Sequence, residues 1–242
     1  MQAEEELDEE AKREFIKEWV NTGKMVAEKA RELLQLNVHK QTINRMLEPW
    51  LPIRVVLTAT DFKNFFELRD SPYAQPEIQV LARKMKKAIE ETEFKELSKN
   101  EWHLPYITDE DKEFVEENYK NSGYMRLNLS NDIIYYKDAI LAILSAVRCA
   151  RVSHALGGLS KKTIEEEIKK GMELYKNKHM SPFEHQAKPW FVDEMYHDIF
   201  EWDFVEYFNT PDSMASSRFD VRNLRGWRSL RSFIEQGEVK YD

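Results

Sequence analysis

The chain is poor in the residues that break or cross-link structure: 242 residues contain one cysteine, seven glycines and eight prolines. A lone Cys149 excludes an intrachain disulfide and any cysteine-cluster metal site. Few glycines and prolines leave long stretches uninterrupted, which favours helices. There is no apolar run of the length a membrane-spanning helix requires, and the acidic start is the reverse of a targeting peptide. Excess positive charge is also missing. The formal net charge is −8, so polymeric nucleic acid is not an expected partner, whereas a small anion held by a few local arginines is compatible. With 42% apolar and 33% charged residues, the balance is that of a globular protein, and a cytoplasmic location without membrane association is expected.

Apolar spacing then sets out the organisation. Phe15, Trp19, Val26, Ala30 and Leu33 fall near helical spacing and predict one long amphipathic helix from about Asp8 to Leu36. A second helix is expected over Lys40 to Glu48, ending where Pro49 disturbs it. Ile53 to Thr58 is short, apolar and β-branched, the best strand candidate in the chain. Further helices are expected over Asp61–Arg69, from Ala74 to near Phe94, and over Asp109–Tyr119, Asp132–Val152 and Ser160–Lys178, with a last one between Phe219 and Gln236. Asn100 to Thr108 reads as a packed loop. No internal repeat or low-complexity linker interrupts the chain. The expected fold class is α+β, mostly helical with a small sheet, in a single domain over residues 1–242.

Several residues do not fit a purely structural pattern. Phe62, Phe65, Phe66 and Arg69 lie at i, i+3, i+4 and i+7, so Arg69 shares a stripe that three phenylalanines mark as buried. A guanidinium there needs either an acidic partner, such as Glu67, Asp70 or Glu77, or an anionic ligand. Asn64 stands beside the same stripe and offers an amide. Ser181-Pro182-Phe183-Glu184 has the order of a capping box, and a helix start also presents free N–H groups to an anion. His179 and His185 flank it, without the spacing of a metal site. Arg218, Arg222, Arg225, Arg228 and Arg231 would share one face of a continuous helix, as a solvated or inter-subunit surface or as a phosphate site. Cys149 sits in an apolar helical stretch, where an inert buried thiol is expected. No glycine-rich phosphate loop, nucleophile elbow or catalytic triad is present in the sequence.

The order of longer segments adds more. His39-Lys40-Gln41 with Asn44-Arg45-Met46-Leu47-Glu48-Pro49, and Thr58-Ala59-Thr60-Asp61-Phe62 running into Asn64-Phe65-Phe66-Glu67-Leu68-Arg69, resemble the flavin-dependent thymidylate synthases of the permuted, phage-type branch. The resemblance continues through Ala74-Gln75-Pro76-Glu77-Ile78, Glu101 to Tyr106, Arg148 to Ser153 and His179 to His185, with a weaker match at Asn223 to Trp227.

This resemblance implies reductive methylation of dUMP to dTMP with methylenetetrahydrofolate, using FAD reduced by NADPH and no cysteine nucleophile. It implies a homotetramer with active sites between subunits. By matching position, Arg69 would contact the uracil ring and stabilise charge developing on it, and Arg45 would also contact dUMP. Asn64, Ser153, His179 and Ser181 would line the flavin pocket. Thr58 and Thr60 stand where the commoner branch has an asparagine and an arginine, and no role is carried over to them. The family's signature, a His-Arg segment followed by spaced serines, an asparagine and an arginine, does not occur in this sequence. Met1-Gln2-Ala3 matches an internal point of such proteins, so a complex with an N-terminal fragment carrying that signature is expected for activity. The alternative is a non-catalytic nucleotide-binding remnant, or a helical interaction protein on the same scaffold.

Overall fold

Helix α1, Glu9–Leu34, starts where Asp8 turns the chain: its carboxylate accepts hydrogen bonds from the Glu10 and Ala11 amides, at 3.0 and 2.8 Å. The computed structural model describes residues 7–98, 101–119, 125–127, 136–152, 162–189, 224, 226–237 and 239–241. By its contacts the chain divides into two compact units, Met1–Arg54 and Val55–Asp242. In the first unit, α1 packs against α2, Lys40–Leu47, which runs into a 3-10 turn at Glu48–Trp50. The contact is tight at Gly23, where a Cβ would lie 2.6 Å from the Trp50 ring, and the Trp50 indole N–H donates to Trp19 O at 3.0 Å. Ala30 and Ile43 are buried there, but Phe15, Ile16, Trp19 and Val20, nearer the start of α1, are exposed.

The second unit is built around α6, Tyr136–Arg151. Residues Ala139 to Val147 of this helix are all buried, so it is covered on every side, as its apolar run requires. Helices α5, Asp109–Tyr119, and α7, Ile164–Lys176, pack on it and contribute Val115 and Ile168 to the core. At Gly171 an added Cβ would lie 2.4 Å from the Ile143 side chain, which explains why α6 and α7 approach so closely. Two short antiparallel ladders finish the unit. Strand β1, Met125–Leu127, pairs with β4, Val239–Tyr241, and β2, Ala187–Pro189, pairs with β3, Trp227–Ser229. A short helix α8, Leu230–Glu235, follows β3 and buries Leu230 and Phe233 in the same core. Helices α3, Lys63–Arg69, and α4, Pro76–Glu90, pack against each other, with Ala82 the buried residue of α4.

The described residues are thus mostly helical with small antiparallel sheets, an α+β arrangement, and no helix among them is long and apolar enough to cross a membrane. The helices expected from apolar spacing are present, several to within a residue or two. Three expectations fail. Residues 52–59 form no strand, and Ile53, Val55 and Leu57 are exposed: β-branched residues stabilise a strand only where a ladder and a covering face exist. Ser181 does not cap a helix. It is the first residue of a four-residue 3-10 helix, Ser181–Glu184, whose N-cap position is Met180 and lacks a side-chain cap, because the chain must turn at once into β2. The capping box lies elsewhere, at α7, where Glu166 N donates to Thr163 Oγ1 and Thr163 N to the Glu166 carboxylate. Finally, Arg228 and Arg231 do not share one helix, since Arg228 is in β3 and Arg231 in α8, with Gly226 at φ 72° before them. Arg218, Arg222 and Arg225 lie outside the described residues.

Candidate functional site

Arg69 ends α3 and is exposed, as is Asn64 one turn earlier, while Phe62, Phe65 and Phe66 are only half-buried. The expected buried arginine is therefore not found here. Helix α3 is two turns long and lies on α4, so its C-terminal end faces solvent and Arg69 carries no desolvation cost. Nor does it take the acidic partners considered for it. Asp70 receives the Arg83 Nε–H at 2.7 Å from α4, Glu67 faces Lys63 at 3.8 Å, and Arg69 makes no ion pair among the described residues. Arg45, in the last turn of α2, is likewise exposed and makes no ion pair among them. An open hollow of about 370 Å³ on α3 and α4 is lined by Lys63, Phe66, Glu67, Asp70 and Lys86. His179 and Ser181 are exposed on either side of Met180, between α7 and β2, and Ser153 lies outside the described residues.

Segments far apart in the chain meet around the Ser181–His185 turn. Thr58 Oγ1 shares a 3.0 Å hydrogen bond with His185 Nδ1 across 127 positions of sequence. His103 and Ala187 form a β-bridge, with N–H to O distances of 2.7 and 3.2 Å. Ser145 Oγ donates to Pro105 O at 2.7 Å, and its oxygen lies 3.1 Å from the amide of the buried Gln186. Leu230 N donates to Gln186 O at 2.7 Å, which brings α8 to the same place. Burial pushes the half-buried His185 imidazole below its ordinary pKa, with Glu184 acting weakly the other way, so it is neutral at pH 7. Glu184 itself pairs with Arg231 of α8.

The strongest charge cluster lies between α5, α6 and α7. Arg148 donates to both Asp111 oxygens at 2.6 and 2.8 Å, to Glu167 at 3.0 Å and to Tyr106 O at 2.7 Å. Asp111 also accepts from Thr108 N and Oγ1, at 2.7 and 2.8 Å. Burial alone would raise the Asp111 carboxyl, but these donors hold it below its usual range. Every group in the cluster has partners, so it is a structural clamp rather than a reactive centre. Apolar spacing did not reveal it, although Arg148 on the Leu141–Leu144 face of an apolar helix was the available signal.

Arg228 is fully buried. Its guanidinium lies 3.9 Å from the centre of the Phe233 ring and donates to Ser232 Oγ at 3.2 Å and Gln236 Oε1 at 2.7 Å. Cys149 is buried and its thiol is pushed up to about 11, so it is protonated at neutral pH and unsuited to nucleophilic attack. Among the described residues no three His, Cys, Asp or Glu side chains gather as a metal site.

No family model, curated protein or solved structure matches this chain.

Proposed function

We propose that this chain is a portion of a flavin-dependent thymidylate synthase that converts dUMP to dTMP and needs a segment carrying the His-Arg and spaced Ser/Asn/Arg signature to complete its site. The observation that carries this reading is the meeting of resembling segments: Thr58–Arg69 is tied to His179–His185 through Thr58–His185, Glu101–Tyr106 is tied to Arg148 through Arg148–Tyr106, and His103 is bridged to Ala187, two residues beyond His185. Those ties join segments distant in the chain, as segments that share one site would be joined.

Arg69 and Arg45 are exposed cations without acidic partners among the described residues, as guanidinium groups reserved for an anionic nucleotide should be. Arg69 would stabilise negative charge developing on the uracil ring, and Arg45 would bind the nucleotide. Asn64, His179 and Ser181 offer exposed hydrogen-bonding groups suited to a flavin edge, and Ser153 is assigned by resemblance alone. When bound, FAD reduced by NADPH would supply the hydride, with methylenetetrahydrofolate supplying the carbon. The protonated, buried Cys149 agrees with chemistry that uses no cysteine nucleophile. A homotetramer, or a complex with the signature-bearing segment, would complete the site.

The test is to purify the chain with and without a co-expressed segment carrying the signature. Retained flavin absorbance and dTMP formation are expected only for the combination. If the combination binds neither flavin nor dUMP, the reading falls. A non-catalytic nucleotide-binding module is the second reading, favoured by the unpaired state of Arg69 among the described residues. It is distinguished by calorimetric dUMP binding that Arg69→Ala abolishes in a combination that forms no dTMP.

A further inference from the structure

The apolar stripe of α1 is longer than the element that covers it. Gly23, Val26, Ala27 and Ala30 lie on one side of the helix, half-buried or buried, where α2 packs. With 8 residues against 26, α2 and its 3-10 turn reach only part of α1. The cover stops at Trp50, whose ring lies on Gly23 and 5.2 Å from the Trp19 ring. Nearer the start of α1, the same side carries Phe15, Ile16, Trp19 and Val20. These are 59%, 60%, 45% and 46% exposed. Phe15 stacks on Trp19 at 6.1 Å, so one aromatic row runs from the covered half of the stripe into the uncovered half.

We propose that a second copy of the chain covers this face, the two α1 helices packing antiparallel and crossing near Ile16. The inference rests on the packing of the first unit and is independent of the synthase reading. The four side chains expose on the order of 400 Å² of apolar surface, the size of a functional patch on a monomer. Doubled by symmetry and widened by flanking side chains, it reaches the roughly 1,000 Å² that a specific interface needs. Direction follows from α2. In a parallel pair the second half of each α1 would run into the partner's α2, which occupies that side from Gly23 onward. In an antiparallel pair the uncovered halves face each other and the two α2 helices point outwards, so one patch serves both copies. Charge agrees. Asp8 caps α1, Glu9 and Glu10 fill its first turn, and Lys24 lies on the edge of the stripe that Glu9 shares. Antiparallel packing sets Glu9 beside the partner's Lys24, whereas parallel packing brings the two acidic turns together.

Sedimentation equilibrium of the full chain tests the face. The wild type should give a mass of at least two 28.9 kDa chains. Ile16→Glu combined with Val20→Glu should weaken association about tenfold or more, with helical circular dichroism unchanged because both positions are exposed. Cross-linking under a mild oxidant tests the direction. Ile16→Cys should join to itself, and Glu9→Cys should join to Lys24→Cys rather than to itself, while the buried Cys149 stays out of the reaction. The proposal is overturned if the wild type is a monomer at micromolar concentration, if the two glutamates leave association within twofold of wild type, or if Glu9→Cys joins to itself. A wild-type pair that comes apart when the signature-bearing segment is added also overturns it, since the face then belongs to that segment. Failure of that combination to bind flavin or dUMP would sink the synthase reading, while the masses and cross-links still decide the face.

Discussion

Arg148 and Arg69 occupy similar places in their helices, near the last turn beside an apolar stripe, yet their surroundings are opposite. Arg148 lies in the clamp of α5, α6 and α7, with bidentate Asp111, Glu167 and a carbonyl around it, and Asp111 and Glu167 are buried. Arg69 stands in solvent at the end of a two-turn helix with no ion pair among the described residues. The largely enclosed arginine is thus committed to holding helices together, and the exposed one is available to a ligand. The partners around a cation mark its use, and the pattern of phenylalanines does not say which arginine is enclosed.

Substitutions can break that contrast. Arg148→Ala should have the largest effect, a loss of about 3–5 kcal/mol, because it strands Asp111 and Glu167 as buried charges. Urea unfolding checks this, and a loss near zero would mean that the clamp is not buried as described. Next, Gly171→Ala should cost about 1–3 kcal/mol, since its Cβ would meet Ile143 at 2.4 Å and Val147 at 2.8 Å and push α7 off α6. The same unfolding curves read it. Thr163→Ala removes the capping box of α7 and should cost about 1 kcal/mol.

The remaining two effects are smaller. His185 is held neutral in the fold, its pKa lowered by burial, so its contribution is complete above the unfolded value of about 6.5 and lost as pH falls below it. The unfolding midpoint should therefore decline between pH 7 and pH 5, and His185→Gln should flatten that part of the decline. Arg69→Ala should change stability least, by under about 0.5 kcal/mol, because the side chain is exposed. Its effect belongs to dUMP binding in the completed assembly, where calorimetry reads it. A large loss of stability would return Arg69 to a structural role.

The helices were the most legible part of the fold. Asp109–Tyr119 was bounded to the residue, and Lys40–Leu47 to within one, because caps and apolar spacing are local properties of the chain. Strands were not legible. Each of the four among the described residues is three residues long and three of them lie beyond Ser181, too short for alternation to register, and each exists only through its partner. The stretch with the best strand composition, Ile53–Thr58, found no ladder. Ser181 shows the same limit at a cap, since the capping-box order was present but the turn into β2 left no room for a helix.

By itself the sequence determined where helices run and that Cys149 is a buried, inert thiol. These follow from periodicity and local composition, which act within a few residues. Tertiary structure decided which arginines are buried, where Ser181 and Thr163 stand in their turns, and that Thr58 reaches His185. Those outcomes depend on what lies opposite each side chain, and contacts across 127 residues leave no trace in local spacing.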